Sequence, residues 1–262
     1  MFKKGQITIF IIIAILLVAA VGIVLVLRNS MKTGDEDLPV GTENVENYVK
    51  NCLKIIAENG IVLMGRQGGY YKFSSEPNIA YSGNDSEPGV LFTDLGNINV
   101  PYYLYDSKNT MPPIEKVEEQ LSFYVEENLN NCIKDFDIFK QKGFIIDAGS
   151  IDAATNILDD KVMVSLDYPV TMKKADIIRE KTTYNIEVPI RMGLIYNITD
   201  YLTNVQASNP RAICFDCLLQ ARNNGFYTQM LIYDNNTIIF VFTDTDTKLN
   251  NTNFDFIFAN KY

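Results

Sequence analysis

The sequence predicts an α+β protein: an N-terminal transmembrane helix followed by a head of amphipathic helices packed on antiparallel strands. Three observations carry this expectation. Residues 7–27 hold no charge and one clearly polar side chain, Thr8. Two later stretches repeat apolar residues at helical spacing, and the second half of the chain alternates apolar and polar residues between turn signals. Strands and helices without regular strand–helix–strand alternation favour segregated layers over a parallel sheet.

Taken in order, about 21 residues at 1.5 Å rise give a helix of roughly 31 Å, enough to cross a bilayer. A cleavable secretory signal has a shorter apolar core of about 7 to 15 residues ending at a small-residue site. Here the small cluster Ala19, Ala20 and Gly22 sits mid-run, with Ile23 to Leu27 still to come. Lys3 and Lys4 precede the span, whereas Asp35, Glu36 and Asp37 follow soon after Arg28 and Lys32. The short N-terminal segment is therefore expected in the cytoplasm and nearly everything after residue 30 outside. The net charge of -9, with no basic stripe, excludes a nucleic-acid binder, which needs clustered lysine and arginine.

Residues 29–44 mix glycine, proline and three consecutive acids and read as a linker. A first helix follows over "NVENYVKNCLKIIAENG", with Cys52 on its apolar face and Gly60 as its stop. Gly68 and Gly69 then predict a turn feeding an aromatic strand; the spacing lacks the lysine and hydroxyl residue of a phosphate loop. The second helix covers "PPIEKVEEQLSFYVEENLNNCIKDF", opened by proline and early acids, with Val117, Leu121, Val125, Asn128 and Cys132 along one side. The tyrosines of "PYYLYD" are expected to pack over these helices.

A break at 149–160 is a candidate subdivision of the head. Beyond it, Val162 to Val170 alternate after a turn at Asp159 and Asp160, and Tyr184 to Ile190 alternate up to Pro189, so two strands are expected. Helices are expected from about Gly193 to Val205 and across "RAICFDCLLQARNNG" to Gly225. Two strands around Asp234, Asn235 and Asn236 and a last one at Phe254 to Ala259 complete the order.

The absence of histidine removes Ser-His-Asp and Cys-His catalysis and all histidine metal sites. Four cysteines outside the cell favour disulfides. One inward cysteine on each amphipathic helix makes Cys52 with Cys132 the most economical of three connectivities, two buried thiols being the alternative. Cys214 and Cys217 form a CxxC, read as a local disulfide pinning a helix end, with a redox pair as the alternative. Asp244 and Asp246 open a stretch resembling a calcium loop, but Lys248 stands where a third ligand belongs and the terminal glutamate is missing, so a solvated hairpin loop is expected. No metal and no cofactor follow from these residues. Asn84, Asn197, Asn235 and Asn250 each begin an N-x-S/T sequon, the last two beside expected turns at one glycosylated tip.

Lys3, Lys4, Gly5 and Gln6, followed at once by the uncharged run, resemble the class III signal peptide of archaeal type IV pilins and archaellins. The resemblance covers about the first 27 residues. It implies that a membrane leader peptidase cuts after Gly5, making Gln6 the new N-terminus. It further implies that the subunits exchange lipid for copies of themselves at a filament's centre, with Ile7, Phe10, Ile13, Leu17, Val21 and Val24 as assembly positions. Bacterial relatives carry glutamate at the fifth mature position; this chain has Phe10, a departure that fits an archaeal subunit. The implied organisation is a leader at 1–5, an assembly helix at 6–28, the linker, and an extracellular head at 45–262. The expected protein is a non-enzymatic cell-surface filament subunit whose partners are lipid, the peptidase and itself. Two other classes are a permanently anchored binding module and a membrane-tethered thiol oxidoreductase using Cys214 and Cys217.

Overall fold

The computed structural model describes residues 42–73, 90–93, 98–209 and 213–262. The chain divides into two compact units, Met1–Asn44 and Val45–Tyr262, and the second contains all the packing described below. Gly5, Gln6, Ile7, Phe10, Ile13, Leu17, Val21, Val24 and Asn84 lie outside the described residues. Among the described residues no helix is long and apolar enough to cross a membrane.

Helix α1 (Thr42–Arg66) runs straight through Gly60, where the sequence placed its end. The glycine serves packing instead: a Cβ there would fall 2.6 Å from Tyr124 Cδ1 and 2.8 Å from Leu121 Cδ1 on α2 (Ile114–Ile133). The helix stops where Gly68 and Gly69 take φ of +53° and +81° and the Gly69 N–H returns to Met64 O at 2.7 Å. Cys52 bonds to Cys132, Gly60 meets Leu121 and Tyr124, and Gly69 meets Val117, so the two helices run antiparallel. The buried stripe of α2 is Val117, Leu121, Val125, Leu129 and Ile133; Asn128 and Cys132, placed on that face from the sequence, are only half-buried. Tyr70 to Phe73 do not form the expected strand. Gln120 Oε1 accepts from the N–H groups of Tyr71 (3.0 Å) and Lys72 (2.8 Å), holding the segment to α2 as irregular chain.

After α2 the backbone reverses through Lys134, Asp135 and Phe136, all at positive φ, which drops the Phe136 ring between those of Tyr48 and Tyr168. The single turn α3 (Asp137–Lys140) leads into the smaller sheet. Its centre is β6 (Val162–Lys174), with β7 (Ile177–Val188) on one side and β4 (Ile145–Ala148) and β5 (Asp152–Ile157) end to end on the other. Between β4 and β5 the Gly149 N–H donates to Pro169 O at 2.8 Å, beside a register shift of β6 against β7. Asp159 and Asp160 make the β5–β6 turn expected of them, and β7 ends just before Pro189. Alternate residues from Val162 to Met172 are buried and their neighbours mostly exposed, so this sheet buries one face, as period-2 patterning requires. Helix α2 lies along β5: Glu118 Oε1 accepts from Ile157 N–H (2.8 Å), Glu126 Oε1 from Ala153 N–H (3.0 Å), and Ser122 donates to Thr155 Oγ1 (2.9 Å). One stripe at i, i+4 and i+8 thus covers that edge, its two glutamates satisfying the outward N–H groups of Ile157 and Ala153 and its serine binding the Thr155 side chain.

The larger sheet comprises β1 (Val90–Thr93), β2 (Ile98–Tyr105), β3 (Lys108–Asn109), β8 (Phe226–Ile232), β9 (Thr237–Leu249) and β10 (Thr252–Lys261). Their order is β1-β2-β10-β9-β8, with β3 beside β2. Both sheets are antiparallel as expected, except that β2 and β10 pair in parallel. One face is a ladder of rings: Phe258 stacks on Tyr103 and Phe240 at centroid distances of 4.9 and 5.2 Å, and Phe242, Phe254 and Phe256 are fully buried with them. The end of α1 closes over this ladder, with Tyr103 Oη donating to Gly68 O at 2.8 Å. Helix α4 (Met192–Ser208) adds a buried hydrogen bond from the Asn260 amide to Gln206 Oε1. Helix α5 (Phe215–Asn223) ends before Gly225, as the sequence predicts, and leads into β8.

Candidate functional site at the edge of the larger sheet

The corner where α5 turns into β8 combines a disulfide, a buried ion pair and an exposed apolar strand. Cys214 and Cys217 are bonded, and Cys52 is bonded to Cys132, so no cysteine is free. Cys214 sits at the N-cap of α5, its sulfur accepting from the Cys217 N–H at 3.2 Å, while Cys217 is fully buried. The CxxC therefore fixes the first turn of a nine-residue helix. At the other end the chain turns through Gly225 at φ +78°, where a Cβ would fall 2.2 Å from Asp246 Oδ2.

Beneath this turn lies Asp244, fully buried, where the sequence predicted a solvated loop. Strand β9 continues to Leu249, and the β9–β10 register shifts there: Phe254 faces Asp244 whereas Asn253 faces Lys248. Thr245 to Thr247 bulge outward as a result. The Asp244 carboxylate organises the bulge by accepting from the N–H groups of Asp246 (2.9 Å) and Thr247 (3.1 Å) and from the Thr247 hydroxyl. It also takes Arg191, whose Nε donates at 3.0 Å and whose Nη2 donates to the other carboxylate oxygen, while Nη1 reaches both Asn224 O (2.8 Å) and the Asp246 carboxylate (3.1 Å). The guanidinium carbon stands 4.6 Å from the centre of the Phe226 ring. Burial pushes the Asp244 carboxyl up, but the hydrogen bonds from Arg191, Thr247 and Asp246 outweigh it and hold the group below the ordinary carboxylate range. The Asp244 hydrogen bond holds Arg191 above its ordinary value in the same way. One arginine before α4 thus ties together the end of α5 and the bulge of β9. This is a structural joint, with the donors of Arg191 and the acceptors of Asp244 spent internally.

Outside the joint, Leu218, Leu219, Arg222, Phe226, Tyr227 and Met230 line a groove of about 540 Å³ between α5 and β8. The Thr228 hydroxyl, shielded beside it, has no hydrogen-bond partner. Tyr227 is 58% exposed, Ile232 82% and Leu219 55%, and residues 226–233 carry no charge. Strand β8 terminates the larger sheet, so one side of its backbone has no strand against it among the described residues. The Tyr233 N–H donates to Thr237 O and the Thr245 N–H to Gly225 O. By the alternation of an antiparallel ladder, odd-numbered residues of β8 exchange bonds with β9, and the N–H and C=O of Phe226, Thr228, Met230 and Ile232 point outward.

The described sequons are scattered. Asn197 lies exposed on α4, its amide donating to Asp159 Oδ1 at 2.9 Å. Asn235 sits in the β8–β9 turn and Asn250 in the β9–β10 turn, at opposite ends of the 13-residue strand β9. With Thr245 to Thr247 bulged out of the ladder, the remaining residues, about ten at about 3.3 Å each, separate the two turns by roughly 30 Å, so they do not share one tip. Sequence reasoning passed over Arg191 and the outer edge of β8. Neither carries a motif; the only available signal for the second was an apolar strand with no charge from Phe226 to Tyr233. No family model matches the chain, nor does any curated protein or solved structure.

Proposed function

We propose that this chain is a pilin-like subunit of an archaeal cell-surface filament, inserted in the membrane, trimmed after Gly5 and assembled through residues 6–28. The observation that carries the reading is the sequence Lys3-Lys4-Gly5-Gln6 set directly before an uncharged run of about 21 residues. A basic pair holds the N-terminus on the cytoplasmic side, a small residue fits a peptidase at the membrane surface, and the retained helix keeps its apolar surface covered by exchanging lipid for identical neighbours. The head supports this placement. All four cysteines are paired, as suits an oxidising exterior, and the acidic balance of the chain suits a soluble surface there. The head's role is display, and no catalytic chemistry is assigned to it.

Replacing Gly5 with leucine in the native host tests the reading. The variant accumulates as a longer membrane form with its leader attached, and electron microscopy shows no filaments containing the protein. A Gly5→Leu chain that is trimmed and assembled like the natural one overturns it. A natural chain that keeps its leader and stays dispersed in the membrane identifies a permanently anchored module instead.

A further inference from the structure

Sheet edges attract other strands, and this fold shields two of them visibly. The β5 edge is sealed by Glu118, Ser122 and Glu126 of α2, and the β7 edge carries Arg179, Glu180, Lys181 and Glu187. The β8 edge has neither device: it is seven residues long and uncharged, with no proline and no register shift against β9. We propose that β8 pairs antiparallel with β8 of a second copy of this chain, about a two-fold axis at Gln229, joining the two larger sheets edge to edge.

An axis at Gln229, the midpoint of Phe226–Ile232, is the one that pairs all seven residues of the strand. With the axis at Gln229, Phe226 faces Ile232 of the partner copy, Tyr227 faces Leu231, and Thr228 faces Met230. The outward N–H and C=O groups belong to Phe226, Thr228, Met230 and Ile232, so every outward donor meets an outward acceptor. Gln229 faces its own copy at a position without backbone bonds, where side chains come closest. Between the paired strands no charge opposes another, because residues 226–233 carry none; Arg222 of α5 lies beside them in the groove. The edge is also apolar enough to be worth covering. Tyr227, Met230, Leu231, Ile232 and Tyr233, with Phe215 and Leu219 of α5, expose between 38% and 82% of their surfaces. At roughly 180 Å² per large apolar side chain this is about 700 Å² of exposed surface per copy, the most that the pairing can bury, against the ~800 Å² per partner of a stable interface. An isologous contact closes on itself. On the filament reading it therefore joins neighbouring filaments rather than lengthening one, and the pairing itself does not depend on whether the leader is trimmed.

The test uses the full chain in mild detergent. Since all four native cysteines are bonded, a single introduced cysteine is the only free thiol. Gln229→Cys under mild oxidation gives an interchain dimer on non-reducing gels. Tyr227→Cys alone and Leu231→Cys alone do not, but a mixture of the two does. Met230→Lys, at a position 39% exposed, and Ile232→Lys, at 82%, leave the thermal midpoint of the subunit unchanged and raise the dimer dissociation constant at least tenfold by sedimentation. Cross-linking no greater for Gln229→Cys than for Tyr227→Cys overturns the proposal, as does a dissociation constant unmoved by both lysines. A wild-type chain that sediments as a monomer at all concentrations also overturns it, whether or not some other strand binds there.

Discussion

Asp244→Asn removes one negative charge from the joint under α5 while keeping its shape. The carboxylate is fully buried and accepts hydrogen bonds from Arg191, the Thr247 hydroxyl and two backbone N–H groups. An asparagine keeps one acceptor oxygen and turns an amide donor toward a guanidinium that is itself only 17% exposed. Removing one partner of a buried pair costs about 3–5 kcal/mol when the remaining charge has no other partner. Here the exposed Asp246 carboxylate, 3.1 Å from Arg191, still compensates it in part, so the cost sits at the lower end, about 3 kcal/mol. The variant should lose that much in guanidinium unfolding of the detergent-held chain, followed by circular dichroism, with an unchanged denaturant slope. Replacing both residues, Arg191→Met with Asp244→Leu, should recover most of the loss. The pH dependence has a definite sign. The folded-state pKa of Asp244 is lowered, so its contribution is complete above the ordinary aspartate pKa of about 3.9 and is lost as pH falls through the lowered value. The gap between wild type and Asp244→Asn should accordingly stay constant from pH 7 to 5 and shrink below about pH 4. A loss under 1 kcal/mol at pH 7, or a gap that widens in acid, would refute the reasoning.

Three further outcomes follow from the geometry. Cys52→Ala with Cys132→Ala opens a bridge of sequence separation 80, worth about 4.5 kcal/mol in the chain-entropy account, whereas Cys214→Ala with Cys217→Ala opens one of separation 3, worth about 2 kcal/mol; denaturant midpoints should fall in that ratio. Gly193→Ala places a Cβ 2.4 Å from Leu158 O, a backbone atom that cannot swing aside, and should lower stability by about 2 kcal/mol in the same assay despite the better helix former. If the head faces outside, glycopeptide mass spectrometry should find modification at the exposed turns of Asn235 and Asn250, and Asn→Gln at each should remove one glycan mass.

What the sequence made legible was local. The inward cysteines of two amphipathic helices pointed to the Cys52–Cys132 bridge, and the Asp159–Asp160 hairpin, Pro189 and Gly225 marked element ends where the structure has them. Gly60 was misread because a helix-ending glycine and one emptied for a neighbouring helix look alike without knowledge of that neighbour. Leu129 and Ile133 were passed over for Asn128 and Cys132, one row to the side, because α2 packs on β5 as well as on α1: Cys132 still faces α1 through its bond to Cys52, but the fully buried row lies beside it. Asp244 looked like loop because an acid in a threonine-rich stretch carries no sign of an arginine 53 positions away. The parallel β2–β10 pairing joins residues more than 150 apart, and it also decides that β8 is an edge. Hence the strand was readable, but its free side was not.

The central claim concerns the first six residues, and the mass of the mature N-terminal peptide from native envelopes tests it most directly. A first residue of Gln6, on protein recovered from filaments, is the predicted result. A peptide still beginning before Gly5, on protein found only as dispersed membrane copies, contradicts it.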